Sequence, residues 1–520
     1  MTQRCFVRSH SAMEARSRLG IASGGGLMRN LVCVILLVIS SVENSVCWGQ
    51  DPSALSAARA MEQLVVDSIA KAEKSVVAIA RVRNPVAQGD LTVNDDIGVF
   101  FPGRASRRPD PENPDFVPND YGSGVVVDRH GLILTNYHVL GDTDNSQYWV
   151  WVGRKPYQAE LKGADPWLDL AVLKIAADDL EPMVWGDGKG IKKGQIVIAL
   201  GNPLSIARDG QPSATWGIIS NLKRKAPSAN ENSKPSTNRD TLHHFGTLIQ
   251  TDAKLPQGTS GGALINLKGE MIGLTTSLAA LESSETSAGF AIPVDDTFKR
   301  TVDLLKVGKK PEYGFLGVAP EPLTLTQRQQ GRNGVKINQI VRGTPAERAG
   351  LRPGDLITHV ADAVIQDEVD LIRELSKLPA DSEVSITVER SQGGRSASKP
   401  QQLAVQLSKK NIASARPELS ESPDTKWRGM RLEFVTAIPM FGYRLSDIDP
   451  DGCVAVVDVE TGSPAWKAGI RPGHFISHVE GKRVTTPREF FAAAAEREQV
   501  VRVRLTTGNA NDAVRAIPAP

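Results

Sequence analysis

The hydrophobic pattern along the chain changes from helical to strand-like at Val76. Between Ser53 and Lys74, apolar residues recur at the spacing of one helix face, which predicts a helix. Short apolar runs follow, separated by turns rich in Gly, Asp, Asn and Pro: VVAIARV, GVVVD, LILTN, YWVWV, LAVLKI, IVIAL, GALIN and MIGLTT. Many short strands at regular spacing predict an all-β barrel or sandwich.

Two polar stretches interrupt this rhythm. Residues Asn84 to Asp120 are rich in Pro, Asp, Asn and Arg, and residues Lys223 to Thr241 are rich in Pro, Ser, Asn and Lys. Both stretches predict long loops between strands.

The last third of the chain contains an internal repeat. Residues Gly343 to Val360 read GTPAERAGLRPGDLITHV, and residues Gly462 to Val479 read GSPAWKAGIRPGHFISHV. This density of identity predicts two copies of one small domain. Each copy should form a short helix that begins with Pro, then a Gly turn and then a strand.

Composition narrows the class of protein. With 520 residues, 40% of them apolar and 23% charged, the chain has the balance of a soluble globular protein of several domains. A net charge of +2 gives no electrostatic reason to expect a nucleic acid partner. The eight histidines form no Cys/His cluster with metal-ligand spacing, and nothing resembles a P-loop. We therefore expect no metal and no other cofactor.

The N-terminal residues have the layout of a secretory signal peptide. The apolar run Leu31–Val42 follows a basic residue and precedes small residues, and it is too short to span a membrane comfortably. We expect residues 1–49 to be removed, with translation starting at Met28; an uncleaved membrane anchor is the alternative. Three of the four cysteines fall in this segment, so the exported chain would keep Cys453 and have no intrachain disulfide.

The run Gly258-Thr259-Ser260-Gly261-Gly262 carries the candidate chemistry. A serine between glycines can sit in a tight turn, with its hydroxyl outward and backbone N–H groups aimed at one point. Upstream, His138 and Asp169 lie at the edges of predicted strands, so a base and a carboxylate to orient it are available. Asp165 competes with Asp169 for the second role. Each residue taken alone also fits a purely structural role.

The segments around these residues resemble the HtrA/DegP family of exported serine proteases. The matching segments are GSGVVVDRHGLILTNYHVL at Gly122–Leu140, DLAVLKI at Asp169–Ile175, ALGNPLSI at Ala199–Ile206, IQTDAKLPQGTSGGALINLKGEMIGL at Ile249–Leu274 and GFAIP at Gly289–Pro293. The resemblance implies a mainly β fold: a chymotrypsin-like double antiparallel β-barrel followed by two small α+β PDZ domains. It implies a protease domain at residues 50–306, PDZ domains at 312–410 and 427–510, and a linker at 411–426.

The resemblance also assigns roles in peptide hydrolysis. Ser260 would attack the scissile carbonyl, His138 would take its proton, and Asp169 would orient the imidazole and stabilise its cation. The backbone N–H groups of Gly258 and Ser260 would line the oxyanion hole.

The repeated domains look like peptide-binding modules. Near the start of the first copy, the run Tyr313-Gly314-Phe315-Leu316-Gly317 resembles the loop that captures a C-terminal carboxylate while the peptide adds to a sheet edge. The candidate binding residues are Gly314, Phe315, Leu316 and Gly317. The second copy offers Arg428–Leu432, a looser match. Its domain serves either peptide capture or packing.

The chain departs from the family pattern just before the nucleophile. Thr259 replaces the usual Asn, and Pro256-Gln257 replaces the usual Asn-Pro. Lys254 stands where family members usually have a small residue near the specificity pocket. Either Lys254 points inward and favours an acidic side chain, or it points outward and leaves an apolar pocket; burying an unpaired ammonium is costly, which favours outward. The candidate pocket residues are Lys254, Leu255, Thr276 and Ser277.

Two classes of function fit these observations. The first is an ATP-independent, exported, periplasmic endoprotease that degrades misfolded proteins, recognises their C-termini or extended segments, and assembles into homo-oligomers as the family does. The second is a chaperone or peptide-binding scaffold with weak or silent protease activity. The complete His138, Asp169 and Ser260 set favours the protease. A regulatory protease with one specific substrate is a weaker third hypothesis, because such family members usually carry a single PDZ domain.

Overall fold

Two closed six-stranded antiparallel barrels dominate the computed structural model between residues 76 and 293. The first barrel has the strand order β1-β2-β3-β6-β5-β4 and contains β1 (Val76–Arg83), β2 (Asp120–Val126), β3 (Leu132–Asn136), β4 (Ser146–Val152), β5 (Lys155–Asp165) and β6 (Leu170–Ile175). The second barrel has the order β10-β11-β12-β9-β8-β7 and contains β7 (Ile196–Gly201), β8 (Ser213–Arg224), β9 (Leu248–Thr251), β10 (Ala263–Ile265), β11 (Met271–Thr276) and β12 (Gly289–Pro293). The predicted double barrel is confirmed.

The structure describes residues 52–83, 118, 120–202, 211–225, 241–276, 288–390, 400–412, 419–420, 426–439, 441, 448–495, 499–506 and 514–519. The expected signal peptide, most of the two predicted polar loops and Ser277 lie outside these residues. The chain divides into two units, residues 1–63 and residues 64–520. The predicted N-terminal helix is α1 (Pro52–Ala72), and it begins in the first unit. Every other described element belongs to the second.

The main hydrophobic core lies between the two barrels. Apolar side chains from both barrels and from helix α2 (Asp296–Lys306) meet there without exposure to solvent; they include Leu134, Leu170, Ile198, Leu274 and Phe298. Burial of each such side chain contributes about 1.5–3 kcal/mol. The Asp295 carboxylate caps α2 by accepting from the backbone N–H of Phe298 at 2.9 Å, and so fixes where the helix starts beside the barrels.

Two further sheets repeat one topology after α2. The first has the order β14-β15-β16-β18-β19 with β17 paired to β16, and contains β14 (Val318–Pro322), β15 (Val335–Ile340), β16 (Leu356–Val360), β17 (Ala363–Val364), β18 (Glu383–Glu389) and β19 (Pro400–Gln406). A two-stranded sheet pairs β13 (Gly314–Phe315) with β20 (Ser408–Lys409). The second repeat contains β21 (Met430–Phe434), β22 (Val454–Val459), β23 (Phe475–Val479), β24 (Lys482–Arg483), β25 (Val501–Thr506) and β26 (Val514–Ile517).

Two of the three helices described in the first repeat have a counterpart in the second. The first repeat has α3 (Leu325–Gln329), α4 (Pro345–Arg348) and α5 (Glu368–Lys377), and the second has α6 (Pro464–Lys467) and α7 (Pro487–Ala495). Both α4 and α6 begin with the predicted Pro at the first helical position. Among the described residues, every helix is too short or too polar to pass through a lipid bilayer.

Candidate active site

A tight turn between β5 and β6 carries Asp169. The Asp165 carboxylate begins this turn, because its two oxygens accept the backbone N–H groups of Trp167 and Leu168, each at 3.2 Å. Asp169 ends the turn in the left-handed region with φ +56°, a conformation that Asp adopts more readily than most residues. The turn buries Asp169, which is 2% exposed, against the adjacent strand end.

His138 lies opposite Asp169, in the 3-10 turn Tyr137–Leu140 that follows β3. Its ring Nδ1 is 2.8 Å from Asp169 Oδ2, and its backbone N–H donates to Asp169 Oδ1 at 2.9 Å. An ionised carboxylate can only accept, so this contact places the proton on Nδ1 and leaves Nε2 as the ring's acceptor. Nε2 is buried and has no hydrogen-bond partner among the residues that the structure describes. Asp165, the competing carboxylate, faces its own turn and not His138.

Glycines shape the turn that carries Ser260. Pro256 O accepts from Thr259 N at 3.2 Å, and Gly258 between them has φ +96°, which is the geometry of a type II turn. A side chain at Gly258 would place its Cβ 2.6 Å from the ring of Tyr121. Gly261 has φ +85°, and a Cβ there would clash with backbone of β2. Only glycine fits these two positions.

Strand β2 connects the turn that carries Ser260 to β3, the strand that leads to His138. The backbone N–H of Ser123 donates to Ser260 O at 2.8 Å, and the Ser123 hydroxyl donates to Gly258 O, also at 2.8 Å. The carbonyl of Ser123 accepts from the hydroxyl of Thr135 on β3, the strand that leads to His138. The 5% exposed Ser260 is therefore tied through β2 to the strand that presents His138.

The four candidate pocket residues have different surroundings. Lys254 is exposed, and its carbonyl accepts from the Thr215 hydroxyl at 2.8 Å. Leu255 is half-buried against Gly289, where an added Cβ would lie 2.9 Å from its side chain. Thr276 is buried, and its hydroxyl lies 3.5 Å from Asp169 Oδ2, so this side chain supports the aspartate. Ser277 lies outside the described residues.

Two residues to which the sequence gave no role in catalysis also hold the aspartate turn. His243 is buried; its Nε2 is 3.0 Å from Leu168 O and its Nδ1 is 2.8 Å from the Thr247 hydroxyl. Burial lowers the pKa of His243, so the neutral ring donates to Leu168 O. The second residue, Tyr313, contacts Asp165. Neither position has a local sequence signal, because only the fold brings these side chains to the turn.

The loop singled out in the first repeat continues from β13. Leu316 is 2% exposed, and its carbonyl accepts from Ala346 N at 2.9 Å. The carbonyl of Gly317 accepts from Val341 N at 2.9 Å, and Gly317 has φ +92° where its Cα packs on Thr344. This loop thus leads directly into β14.

The structure gives a different register for the loop of the second repeat. There the carbonyl of Arg428 accepts from Ala465 N at 3.2 Å, and that of Gly429 accepts from Glu460 N at 2.7 Å. Arg428 and Gly429 therefore correspond to the Leu and Gly of the first loop. The residues equivalent to Gly314–Gly317 are therefore Lys426–Gly429, three positions earlier in the chain than the match at Arg428–Leu432 predicted. The Arg428 guanidinium donates to Ile517 O at 2.6 Å and lies 4.5 Å from the Trp427 ring centroid.

Comparison with known protein families identifies three domains. The trypsin-like peptidase domain family matches residues 122–274, which include both turns of the candidate site. PDZ domain families match residues 314–407 and residues 456–506.

Curated relatives match most of the chain. The chain is 30% identical over 415 residues to a probable periplasmic serine endoprotease DegP-like from Chlamydia muridarum, covering 76% of this chain and 74% of the relative. It is 31% identical over 358 residues to the putative serine protease HhoA of a Synechocystis species, covering 64% of this chain and 85% of the relative. Among solved structures, the HtrA-type protease AlgW with a tripeptide is 24% identical, with a TM-score of 0.47 over 68% of this chain and 99% of that one. The chain belongs to the DegP-like family of serine endoproteases, and it combines a trypsin-like peptidase domain with two PDZ domains.

Proposed function

We propose that Ser260, His138 and Asp169 form the catalytic triad of this endoprotease. The observation that carries the proposal is the double contact between His138 and Asp169, through the ring at 2.8 Å and the backbone at 2.9 Å. It orients the imidazole and leaves a buried Nε2 as a proton acceptor. Within the residues that the structure describes, Ser260 is the only serine in a glycine turn that β2 connects by hydrogen bonds to the strand leading to His138.

The proposed reaction is acyl transfer in two stages. Ser260 Oγ attacks the scissile carbonyl while His138 Nε2 takes the hydroxyl proton, and His138 then gives that proton to the leaving amine. Water repeats the sequence on the acyl-enzyme and releases the carboxylic acid. Asp169 stays ionised and stabilises the imidazolium.

We propose Gly258 N–H and Ser260 N–H as the oxyanion-hole donors. The type II turn uses the N–H of Thr259 between them for its own hydrogen bond to Pro256 O. The loss of one oxyanion-hole donor typically costs about 10²–10³ in rate.

The peptidase reading is tested by digestion of casein and by labelling with a fluorophosphonate, which reacts with activated serines. We expect Ser260→Ala to abolish both, while Ser220→Ala, at an exposed serine of β8, leaves both unchanged. Equal digestion by wild type and Ser260→Ala would contradict the triad. Suppression of aggregation measured on the same variants tests the scaffold hypothesis, because a silent protease would show that activity alone.

We further propose that the protein acts outside the cytoplasm, on misfolded or damaged proteins, without ATP and as a homo-oligomer. Export is supported by the apolar run at 31–42 and by relatives named periplasmic. The proposed division is signal peptide 1–49, protease 50–306, PDZ domains 312–410 and 427–510, and linker 411–426. N-terminal sequencing of secreted protein and its mass in solution by light scattering test export and assembly.

The two PDZ domains receive different proposed roles. In the first, the loop Gly314–Gly317 captures a peptide carboxylate. In the second, Arg428 occupies the position of Leu316 and is bound to Ile517 O, which favours packing over capture. Packing is also supported by the buried Lys409, which pairs with Glu312 of the first PDZ region at 2.8 Å and Glu433 of the second at 2.6 Å.

Fluorescence anisotropy with one labelled peptide, ending in either a free carboxylate or an amide, separates these roles. We expect the carboxylate form to bind more tightly, and Leu316→Arg, which copies the second loop, to remove the difference. Arg428→Leu is the matched variant and should leave binding unchanged. Loss of carboxylate preference in Arg428→Leu alone would reverse the assignment of the two domains.

A further inference from the structure

A tyrosine from outside the two barrels is buried beside the turn that carries Asp169. Tyr313 is 0% exposed, and its hydroxyl donates a hydrogen bond to Asp165 Oδ2, across 148 residues of sequence. The hydroxyl oxygen also lies 3.3 Å from Thr301 Oγ1 on α2. Tyr313 directly precedes β13, in the region proposed as the first PDZ domain. A residue of that region therefore completes the packing of a turn in the peptidase domain.

Asp165 links the Tyr313 hydroxyl to the turn that carries Asp169. Its carboxylate accepts three donors: the Tyr313 hydroxyl and the backbone N–H groups of Trp167 and Leu168. The two N–H groups belong to the residues that lead directly to Asp169. Burial raises the pKa of Asp165 to about 6, and the three donors oppose that rise by stabilising the ionised form. Removal of the Tyr313 hydroxyl would make the ionised Asp165 less favourable, and so weaken its hydrogen bonds to the backbone N–H groups of Trp167 and Leu168.

Other charged and polar groups act on Asp165 or on the turn that it caps. Lys310 and Arg300 act on Asp165 electrostatically from the α2 side, and Lys310 lowers its pKa. His243, a neutral donor, holds Leu168 O in the same turn. The end of the first PDZ region contacts the turn, since Lys410 Nζ lies 4.7 Å from the Trp167 ring centroid.

Backbone contacts of Lys410 and of Ser420, which lies in the proposed linker, reinforce the arrangement. Lys410 N donates to Tyr313 O at 2.7 Å, which fixes the tyrosine backbone. The Ser420 hydroxyl bonds both backbone groups of Ala164, accepting at 2.8 Å and donating at 2.9 Å, one residue before Asp165. Both ends of the contact between Tyr313 and Asp165 are thereby held.

We propose that Tyr313 is a positioning residue for proteolysis: by holding the ionised Asp165, it fixes the turn that presents Asp169 to His138. The inference rests on the proposed triad. It makes the catalytic competence of the peptidase domain depend on the seating of the segment that opens the first PDZ domain. Tyr313 touches neither substrate nor reacting atoms and acts only through the turn.

The test uses the full-length protein and four variants: Tyr313→Phe, Asp165→Asn, the double variant, and Tyr157→Phe as a control exchange at a half-buried tyrosine of the first barrel. For a fluorogenic peptide, kcat and KM are measured from pH 5 to 9, well below the melting temperature of each variant. We expect Tyr313→Phe to lower kcat about tenfold with little change in KM, because turn geometry and not binding is altered. We expect the acidic limb of its kcat profile to move upward by about one pH unit, because Asp165 loses a donor that favours its ionised form.

The double variant separates positioning from general destabilisation. In the Asp165→Asn background, the added Tyr313→Phe change should not move the acidic limb further, since the titrating partner is gone. A wild-type profile for Tyr313→Phe, or an equal shift in the Asp165→Asn background, would overturn the positioning role. Ser260→Ala measured alongside distinguishes this failure from failure of the proposed triad, because only the latter leaves Ser260→Ala active.

Discussion

The turns that carry Ser260 and Asp169 are held in place by different means. The Ser260 turn is fixed by glycines whose Cα atoms touch neighbouring backbone, and by hydrogen bonds from β2 and β11. The Asp169 turn is fixed by side chains that reach it from far along the chain, above all His243 and Tyr313. One turn is thus specified largely by its own sequence, and the other by the assembly of the whole chain.

This difference predicts where the protein tolerates change. A glycine turn packed on neighbouring backbone cannot accommodate a new side chain, because close-packed backbone atoms cannot shift to make room for it. A turn held by distant side chains responds in a graded way to whatever moves those side chains. The Ser260 turn should therefore fail abruptly on substitution, and the Asp169 turn gradually.

The largest expected effect is that of Gly261→Ala. The residue has φ +85°, and a Cβ would clash with Ser123 O and the Thr135 hydroxyl. We expect a loss of about 3 kcal/mol or more in unfolding free energy and of nearly all casein digestion. The matched control is Gly153→Ala, with φ +58° and open space around it, where only the backbone term of about 1 kcal/mol applies. Equal costs in the two variants, measured by denaturant unfolding, would remove the steric argument.

Adjacent threonines on β11 compare the two turns within one strand. The buried Thr275 hydroxyl donates to Thr259 O at 2.6 Å in the Ser260 turn, and the Thr276 hydroxyl lies 3.5 Å from Asp169 Oδ2. Thr275→Val should cost about 1–2 kcal/mol of stability and about tenfold in kcat/KM. Thr276→Val removes a longer contact from a carboxylate that keeps His138, so we expect a loss of a few-fold. The opposite ranking in kcat/KM would show that the aspartate turn is the more sensitive one.

Local pattern predicted the first turn well and the second only in part. The glycines around Ser260, and the strand ends beside His138 and Asp169, are readable because tight turns and strand alternation leave periodic signals. The mainly β fold and the two repeats followed from the same signals, whereas the division into two barrels was implied by the family resemblance; both are confirmed.

What the sequence could not give are contacts between distant side chains. Tyr313 and Asp165 meet across 148 residues, and no periodicity encodes such a pair. The place of Thr276 in the chain predicted a pocket residue, and it gave no sign that the Thr276 hydroxyl also faces Asp169. The register of the second PDZ loop was misjudged because Arg428-Gly429 looks locally like Tyr313-Gly314, and only the carbonyl hydrogen bonds distinguish the two alignments.

Asp165 should affect stability and catalysis with opposite dependence on pH. Its protonated form stabilises the folded protein, whereas its ionised form holds the turn that carries Asp169. Burial raises its folded-state pKa to about 6, above the usual value near 3.8, so the folded protein binds the proton more tightly than the unfolded chain does. This stabilising term is full below about pH 4 and is lost as pH rises through 6. Relative to Asp165→Asn, the wild type should lose about 2–3 kcal/mol of unfolding free energy between pH 4 and pH 7. Denaturant melts of both proteins at these two pH values measure the difference; parallel pH dependences would mean that the carboxyl is not destabilised in the folded state.

The smallest expected effect is at Lys254, just before the Ser260 turn, and it marks where the tight packing of that turn ends. The side chain is exposed, although the backbone is held by the Thr215 hydroxyl. If Lys254 lined the specificity pocket, the wild type would prefer acidic side chains in the substrate and Lys254→Glu would prefer basic ones. The reason is that an ion pair excluded from water discriminates strongly between charges. We expect instead that Lys254→Glu and Lys254→Ala cleave a peptide library with the wild-type profile, within about twofold at each residue type. The opposite outcome is a switch of Lys254→Glu toward cleavage at Lys and Arg, with the profile of Lys254→Ala between the other two. It would place the ammonium in the pocket and show that the tightly packed Ser260 turn extends back to Lys254.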